Sequence, residues 1–167
     1  MEKLSDRIMN MPVIPRASIV ARRAHEDQTR KYTGEPYFNH CRAVAMLVSQ
    51  RGGTNWMIAA AYLHDTIEDT MVTAQWLRVY FPPAVVDIVV GLTDVYTTQA
   101  YPSLNRQQRK RLEVERYALE AADVQRVKLC DLMDNTRSII EHDPKFAITY
   151  LKEKADLMAV FREEVMK

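Results

Sequence analysis

The sequence predicts an all-α protein, and two observations lead to this fold class. Hydrophobic residues make up 47% of the chain, and they form long runs at helical spacing without the alternation of β-branched residues that marks strands. Only four glycines and seven prolines interrupt the chain, as expected for helices joined by short turns. With 167 residues, the chain has the length of one ordinary domain and can bury a sizeable core.

Prolines and glycines bound the first two helices. Pro15 begins a helix that we expect to extend to about Lys31, because proline is favoured in the first turn of a helix. Residues 32–36 then combine Gly and Pro into a turn. His40 leads the apolar face of a second helix, which Gly52 ends.

Capping residues and prolines set the next three helices. Thr54 can cap a third helix, on which His64 and Glu68 lie one turn apart and share a side. Residues 73–80 predict a short helix that begins at a threonine cap and ends before two prolines. Residues 84–90 begin another helix, which we expect the following glycine to interrupt.

The remaining chain predicts an irregular stretch followed by further helices. Residues 94–105 show no periodicity and residues 106–111 are strongly basic, a combination that fits either a mobile lid over phosphates or a solvated face. A helix from Asp123 has a stripe that is apolar at first and polar where it continues toward Ser138. Pro144 begins a final amphipathic helix that closes a helical bundle.

Charge and cysteine content exclude several classes of protein. With 23 Lys and Arg against 22 Asp and Glu, the chain has no overall field that would favour a nucleic-acid polymer or a membrane surface as partner. Cys41 and Cys130 form no Cys-x-x-Cys pattern, so neither a disulfide framework nor a zinc ribbon is expected. No signal core or membrane-spanning run is present, and we expect a soluble, cytoplasmic protein.

Four side chains on three of these helices predict an interior metal site. His40, the neighbours His64 and Asp65, and Asp131 supply two imidazoles and two carboxylates. This mixture of nitrogen and oxygen ligands suits Mn²⁺, Fe²⁺, Co²⁺ or Zn²⁺. Such an ion lowers the pKa of a coordinated water and screens phosphoryl charge, which indicates phosphate ester or anhydride hydrolysis. The alternative is a buried ion-pair network without metal.

Other polar side chains divide into candidate catalytic groups and structural ones. Glu68 and Asp69 follow the His-Asp pair by about one helical turn, where they can orient a water molecule or protonate a leaving group. We expect His25 to be a structural residue whose hydrogen bonds stabilise the fold, and His142 to be an ordinary residue at a helix end.

Four motifs in order resemble a known enzyme family. They are Ala-His-Glu-Asp-Gln-Thr-Arg-Lys at residues 24–31, Gly-Glu-Pro-Tyr-Phe-Asn-His at 34–40, Leu-His-Asp-Thr-Ile-Glu-Asp-Thr at 63–70, and Val-Lys-Leu-Cys-Asp at 127–131. Together they are similar to the HD hydrolase domain of the RelA/SpoT homologues, over about residues 17–157. The resemblance implies an HD-domain helical bundle with a central metal site.

The same resemblance implies an activity and roles for particular residues. The chain resembles the small stand-alone alarmone hydrolases, which use Mn²⁺ to remove the 3′-pyrophosphate of ppGpp and pppGpp, giving GDP or GTP and pyrophosphate. We therefore expect a single HD hydrolase domain over residues 1–167 without synthetase activity. The implied metal ligands are His40, His64, Asp65 and Asp131; the implied catalytic pair is Glu68 and Asp69; the implied substrate contacts are Arg30, Lys31, Asn135 and Ser138.

Two further functions stay open at this stage. Leu132 and Asp94 stand where longer family members have Arg and Lys, so another nucleotide such as ppApp, NADPH or a dNTP is an alternative substrate for a metal phosphohydrolase. A catalytically silent nucleotide sensor is the third reading, and retention of both Glu68 and Asp69 argues against it. A homo-oligomer also stays open.

Overall fold

The computed structural model describes residues 6–167, which form eleven helices and no β-strand. The prediction of an all-α protein is confirmed. Within the described residues, every helix is too short or too polar to span a bilayer. The helices belong to two compact units, one ending at Thr93 and the other beginning at Asp94.

The first unit contains seven helices, and α4 packs against three of the others. Ala59, Ala60 and Ala61 on α4 are fully buried, because α2, α3 and α7 all pack against this helix. Small side chains allow such close approach between helix backbones. The bounds are α1 Asp6–Met9, α2 Val13–Ala24, α3 Phe38–Gln50, α4 Asn55–Leu63, α5 Thr66–Asp69, α6 Ala74–Tyr80 and α7 Pro83–Leu92.

The predicted caps of the first unit are present. The hydroxyl of Thr54 accepts a hydrogen bond from the backbone N–H of Met57 at 3.3 Å, and that of Thr73 accepts one from Trp76 at 3.1 Å. Gly52 follows the end of α3 with φ of +73°, a left-handed conformation that glycine adopts without strain.

Three helix predictions for this unit are wrong. The first helix ends at Ala24 instead of Lys31, because the backbone N–H of Arg30 bonds to Glu35 at 2.8 Å in a folded-back segment rather than to a helical carbonyl. The third helix stops at Leu63, so His64 and Glu68 do not share one helix face. Gly91 continues α7 instead of interrupting it.

The second unit is built around one long helix. Its bounds are α8 Arg106–Tyr117, α9 Ala122–His142, α10 Pro144–Met158 and α11 Glu163–Met166. Helices α10 and α11 pack against α9, and α10 also packs against α8. Asn105 caps α8 in a reciprocal capping box with Gln108, so the basic run begins as a regular helix.

Candidate metal centre

Three of the four predicted metal ligands converge at one point of the first unit. The Nε2 atoms of His40 and His64 are 3.2 Å apart, and Oδ2 of Asp65 lies 2.9 Å from Nε2 of His64 and 3.7 Å from Nε2 of His40. Two ligand atoms at about 2.1 Å from one ion lie roughly 3 to 3.5 Å from each other. The three donor atoms therefore have the spacing of ligands to a single divalent metal ion.

The local backbone structure orients these side chains toward one another. His40 lies in the first turn of α3, and His64 directly follows α4, so both rings start from rigid elements. The hydroxyl of Thr66 donates to the carbonyl of Leu63 at 2.7 Å and holds the break between α4 and α5. Both imidazoles are 2% exposed, which shields the centre from bulk water.

The hydrogen bond of His64 decides which ring nitrogen faces the carboxylate. Nδ1 of His64 lies 2.8 Å from the carbonyl oxygen of Ala61, which can only accept, so Nδ1 carries a hydrogen. In a neutral ring the Nε2 lone pair then faces Oδ2 of Asp65, an arrangement that needs a cation between or beside the two atoms. A divalent metal fits this donor set, and a protonated His64 would give the metal-free ion pair.

Tyr37 supports the centre, a role that we did not predict from the sequence. Its hydroxyl donates to Oδ2 of Asp65 at 2.6 Å, and its ring lies against His25 and His40 with centroid distances of 4.9 and 5.5 Å. Tyr37 precedes His40 by three residues, a helical spacing that could have indicated proximity. Hydrogen bonds to ligand carboxylates orient them and tune metal affinity.

We expect Tyr37→Phe to weaken metal binding by roughly 10–100-fold, the usual effect of losing such a hydrogen bond. The fold should stay intact because the aromatic ring and its contacts with His25 and His40 are kept. The measurement is a metal titration by calorimetry, with Tyr32→Phe as the control on the neighbouring exposed turn. Equal affinities of the two variants would show that the hydroxyl of Tyr37 does not support the centre.

Two further hydrogen bonds fix the position of α5, the helix that carries the candidate catalytic residues. Nδ1 of His25 lies 2.7 Å from Oε1 of Gln28, and Nε2 of Gln28 donates to the backbone carbonyl of Asp69 at 2.6 Å. His25 is 1% exposed, and its buried Nε2 has no hydrogen-bond partner among the described residues, so the structural role expected for it stays a prediction. The end of α5, which carries Glu68 and Asp69, is thereby fixed to the segment after α2.

Glu68 and Asp69 are both exposed, as acid/base groups that meet a substrate must be. Burial around the carboxyl group raises the pKa of Asp69, and the nearby charge of Asp65 raises it further. The pKa of the Asp69 carboxyl group is therefore raised above that of an ordinary aspartate. The catalytic roles of both residues stay predictions.

Arg30 and Lys31 lie in the folded-back segment before α3 rather than on a helix. The Arg30 guanidinium is 5.9 Å from the ring centre of Tyr37, which itself binds Asp65. Nζ of Lys31 lies 4.8 Å from the ring centre of Tyr32. The structure therefore puts Arg30 near the centre and leaves its role as a substrate contact a prediction.

The other predicted site residues belong to α9 in the second unit. Asp131 is 5% exposed, and its carboxylate accepts hydrogen bonds from Lys128 at 3.0 Å and Asn135 at 2.6 Å. The carbonyl of Ser138 lies 2.9 Å from Nδ1 of His142 at the end of this helix. The assignment of Asp131 as a ligand, and of Asn135 and Ser138 as nucleoside contacts, stays a prediction.

Comparison with known proteins gives one family and several relatives. A family model described as HD domain matches residues 17–163, which extend over both units. A guanosine-3′,5′-bis(diphosphate) 3′-pyrophosphohydrolase, MESH1, of Xenopus tropicalis is 34% identical over 136 residues, covering 80% of this chain and 73% of the relative. MESH1 of Homo sapiens is also 34% identical, over 77% of this chain and 70% of the relative.

Longer proteins and a solved structure match as well. The probable GTP diphosphokinase RSH3 of Arabidopsis thaliana, chloroplastic, is 26% identical over 94% of this chain, but the chain spans only 22% of that relative's length. A solved structure of a metazoan orthologue of SpoT that hydrolyses ppGpp has a TM-score of 0.77 and 26% identity. The match covers 98% of this chain and 89% of the other.

Proposed function

The chain belongs to the HD domain family, and we propose that it is a metal-dependent hydrolase that removes the 3′-pyrophosphate of ppGpp and pppGpp. The convergence of His40, His64 and Asp65 on one point is the observation that carries the proposal. The names of the MESH1 relatives, of which this chain covers 70% or more, support the choice of alarmone.

We assign the metal to His40, His64 and Asp65 of the first unit, with Asp131 as a fourth ligand on the basis of the sequence resemblance. Mn²⁺ is the ion we propose, because the alarmone hydrolases that the sequence resembles use it and imidazole and carboxylate ligands are compatible with it. When bound, such an ion supplies Lewis acidity and neutralises charge on the phosphoryl group. The support of Asp65 by Tyr37 keeps the carboxylate oriented.

In this mechanism, the two carboxylates of α5 act as the acid and base groups that transfer protons. Glu68 and Asp69 orient the attacking water and protonate the 3′-oxygen as its bond to phosphorus breaks. The hydrogen bond from Gln28 to the carbonyl of Asp69 limits the movement of this segment, so the carboxylates stay in place between turnovers.

A nucleotide panel tests the proposal. Purified protein is incubated with Mn²⁺ and ppGpp, pppGpp, ppApp, NADPH and dNTPs, and the products are identified by chromatography. We expect the guanosine alarmones to be cleaved to GDP or GTP and pyrophosphate. Preferential cleavage of another nucleotide would favour the alternative phosphohydrolase, and binding without cleavage would favour a nucleotide sensor.

Replacing Arg30 and Lys31 together with Ala should raise KM for ppGpp more than it lowers kcat. Cationic contacts to phosphate or stacking of a guanidinium on the base would be lost, while the metal centre stays intact. Cleavage of a small chromogenic phosphodiester, which offers no purine to bind, should barely change. An unaltered KM for ppGpp would mean that both side chains are surface charge.

A further inference from the structure

A cavity of about 130 Å³ lies within the second unit, lined by α8, α9, α10 and Asp94. Pockets that enclose drug-sized ligands measure roughly 300–1,000 Å³, so this one is sized for a small group rather than a whole nucleotide. Its wall includes four carboxylates and three lysines. The pairing of these charges determines what the cavity can bind.

Every carboxylate of the cavity wall has a basic partner. Asp94 pairs with Lys110 at 3.1 Å, and Asp131 pairs with Lys128 at 3.0 Å. Arginines outside the wall contact the remaining two. Arg116 contacts Glu113 at 2.7 Å and also Glu120 at 2.9 Å. Arg106 donates two hydrogen bonds of 2.7 Å to Glu153.

Lys154 is different, because within residues 6–167 the structure gives its ammonium no carboxylate partner. Its one hydrogen bond is donated to the hydroxyl of Thr136 at 2.8 Å, so two of its three N–H donors remain for a ligand. Partial burial lowers the pKa of the Lys154 ammonium, as expected for a cation that no carboxylate stabilises. Lys154 is therefore the lysine of the wall whose positive charge no carboxylate among the described residues offsets by direct contact.

We propose that this cavity binds a phosphate group and that Lys154 is the side chain that holds it. A lysine ammonium is a compact charge suited to phosphate, and the Thr136 hydroxyl fixes its direction. The choice of phosphate among anions rests on the proposed function, whose substrate and product are both rich in phosphate. The phosphate can come from the nucleotide substrate or from free pyrophosphate.

Lys154→Met tests this assignment, because methionine keeps most of the aliphatic stem and removes only the charge. Lys152→Met is the matched control, since Lys152 is exposed on the same helix and does not line the cavity. Calorimetry with pyrophosphate is performed on the full chain in chelator, which removes any metal-dependent binding. We expect Lys154→Met to weaken binding roughly 10-fold, the value of one charge-assisted hydrogen bond, and Lys152→Met to bind as wild type.

A measurement on the wild-type chain avoids dependence on a variant. The chain is acetylated briefly in chelator with and without pyrophosphate, and modification of Lys154 and Lys152 is quantified by mass spectrometry. Pyrophosphate should protect Lys154 and leave Lys152 reactive. Equal protection of both lysines, together with equal affinity of the two methionine variants, would overturn the proposal.

Kinetics with ppGpp then separate the two sources of phosphate. A raised KM in Lys154→Met identifies the substrate as the source, whereas an unchanged KM with weaker pyrophosphate inhibition identifies the free product. The chelator experiments do not require turnover, so they remain decisive if ppGpp is not a substrate. Conversely, metal-dependent cleavage of ppGpp with identical behaviour of the two lysine variants would refute this cavity assignment and leave the proposed function standing.

Discussion

We expect His64→Ala and Asp65→Ala each to lose tight metal binding and to reduce ppGpp hydrolysis to background. Each substitution removes one of the three donor atoms that converge in the first unit, and the loss of one ligand prevents tight binding of a divalent ion. Metal content by atomic emission and initial rates of pyrophosphate release measure the two effects. Circular dichroism should still report a helical protein, because α4 and α5 do not depend on either side chain for their backbone hydrogen bonds.

Matched controls separate loss of a ligand from loss of any histidine or aspartate. His142→Ala removes an imidazole at the end of α9, and Asp156→Ala removes an exposed carboxylate on α10. Both should retain metal and rate. Full hydrolysis by a metal-free His64→Ala sample would rule out a metal-dependent reaction at this centre.

Glu68→Gln combined with Asp69→Asn should keep the metal but lower kcat by roughly 10²–10⁴-fold, the usual contribution of positioned acid/base groups. Neither carboxylate is among the converging donor atoms, so metal content and rate should separate. The substitutions preserve side-chain size, and the backbone carbonyl of Asp69 still accepts from Gln28.

The exposed neighbours Glu26 and Asp27 offer the same chemical pair for a control. Glu26→Gln with Asp27→Asn removes equal charge from the same unit, and it should leave kcat unchanged. If the Glu68 and Asp69 double variant instead loses metal in proportion to rate, these two carboxylates act as ligands and the proposed division of roles is wrong.

Helix caps and helix-ending glycines could be predicted from the sequence, because each depends only on residues that are neighbours in the chain. Thr54 and Thr73 cap their helices as expected, and Gly52 ends α3 in a left-handed conformation. The end of the first helix could not be predicted this way, since the bond from Arg30 to Glu35 belongs to a folded-back segment. The break after Leu63 likewise replaces a helical continuation that the apolar pattern favoured.

Residue type and order identified the three side chains that converge, because an imidazole next to a carboxylate is a recognisable ligand pair. The spacing of Tyr37 and His40 indicates that these two side chains are close. The hydrogen bonds from Tyr37 to Asp65 and from Gln28 to Asp69 could not be predicted from spacing, since they join residues that lie 28 and 41 positions apart. Likewise, the lack of a carboxylate partner for Lys154 became visible only when the carboxylates around it were matched with their partners.

A manganese titration of metal-stripped protein shows whether a bound ion is required for cleavage of ppGpp. Bound metal and ppGpp turnover are measured on the same samples, with GDP and pyrophosphate quantified as products. We predict no turnover without metal, a rate that rises in proportion to bound Mn²⁺, and equal yields of GDP and pyrophosphate. Undiminished cleavage in chelator, or a metal-saturated protein that leaves ppGpp intact, would contradict this prediction.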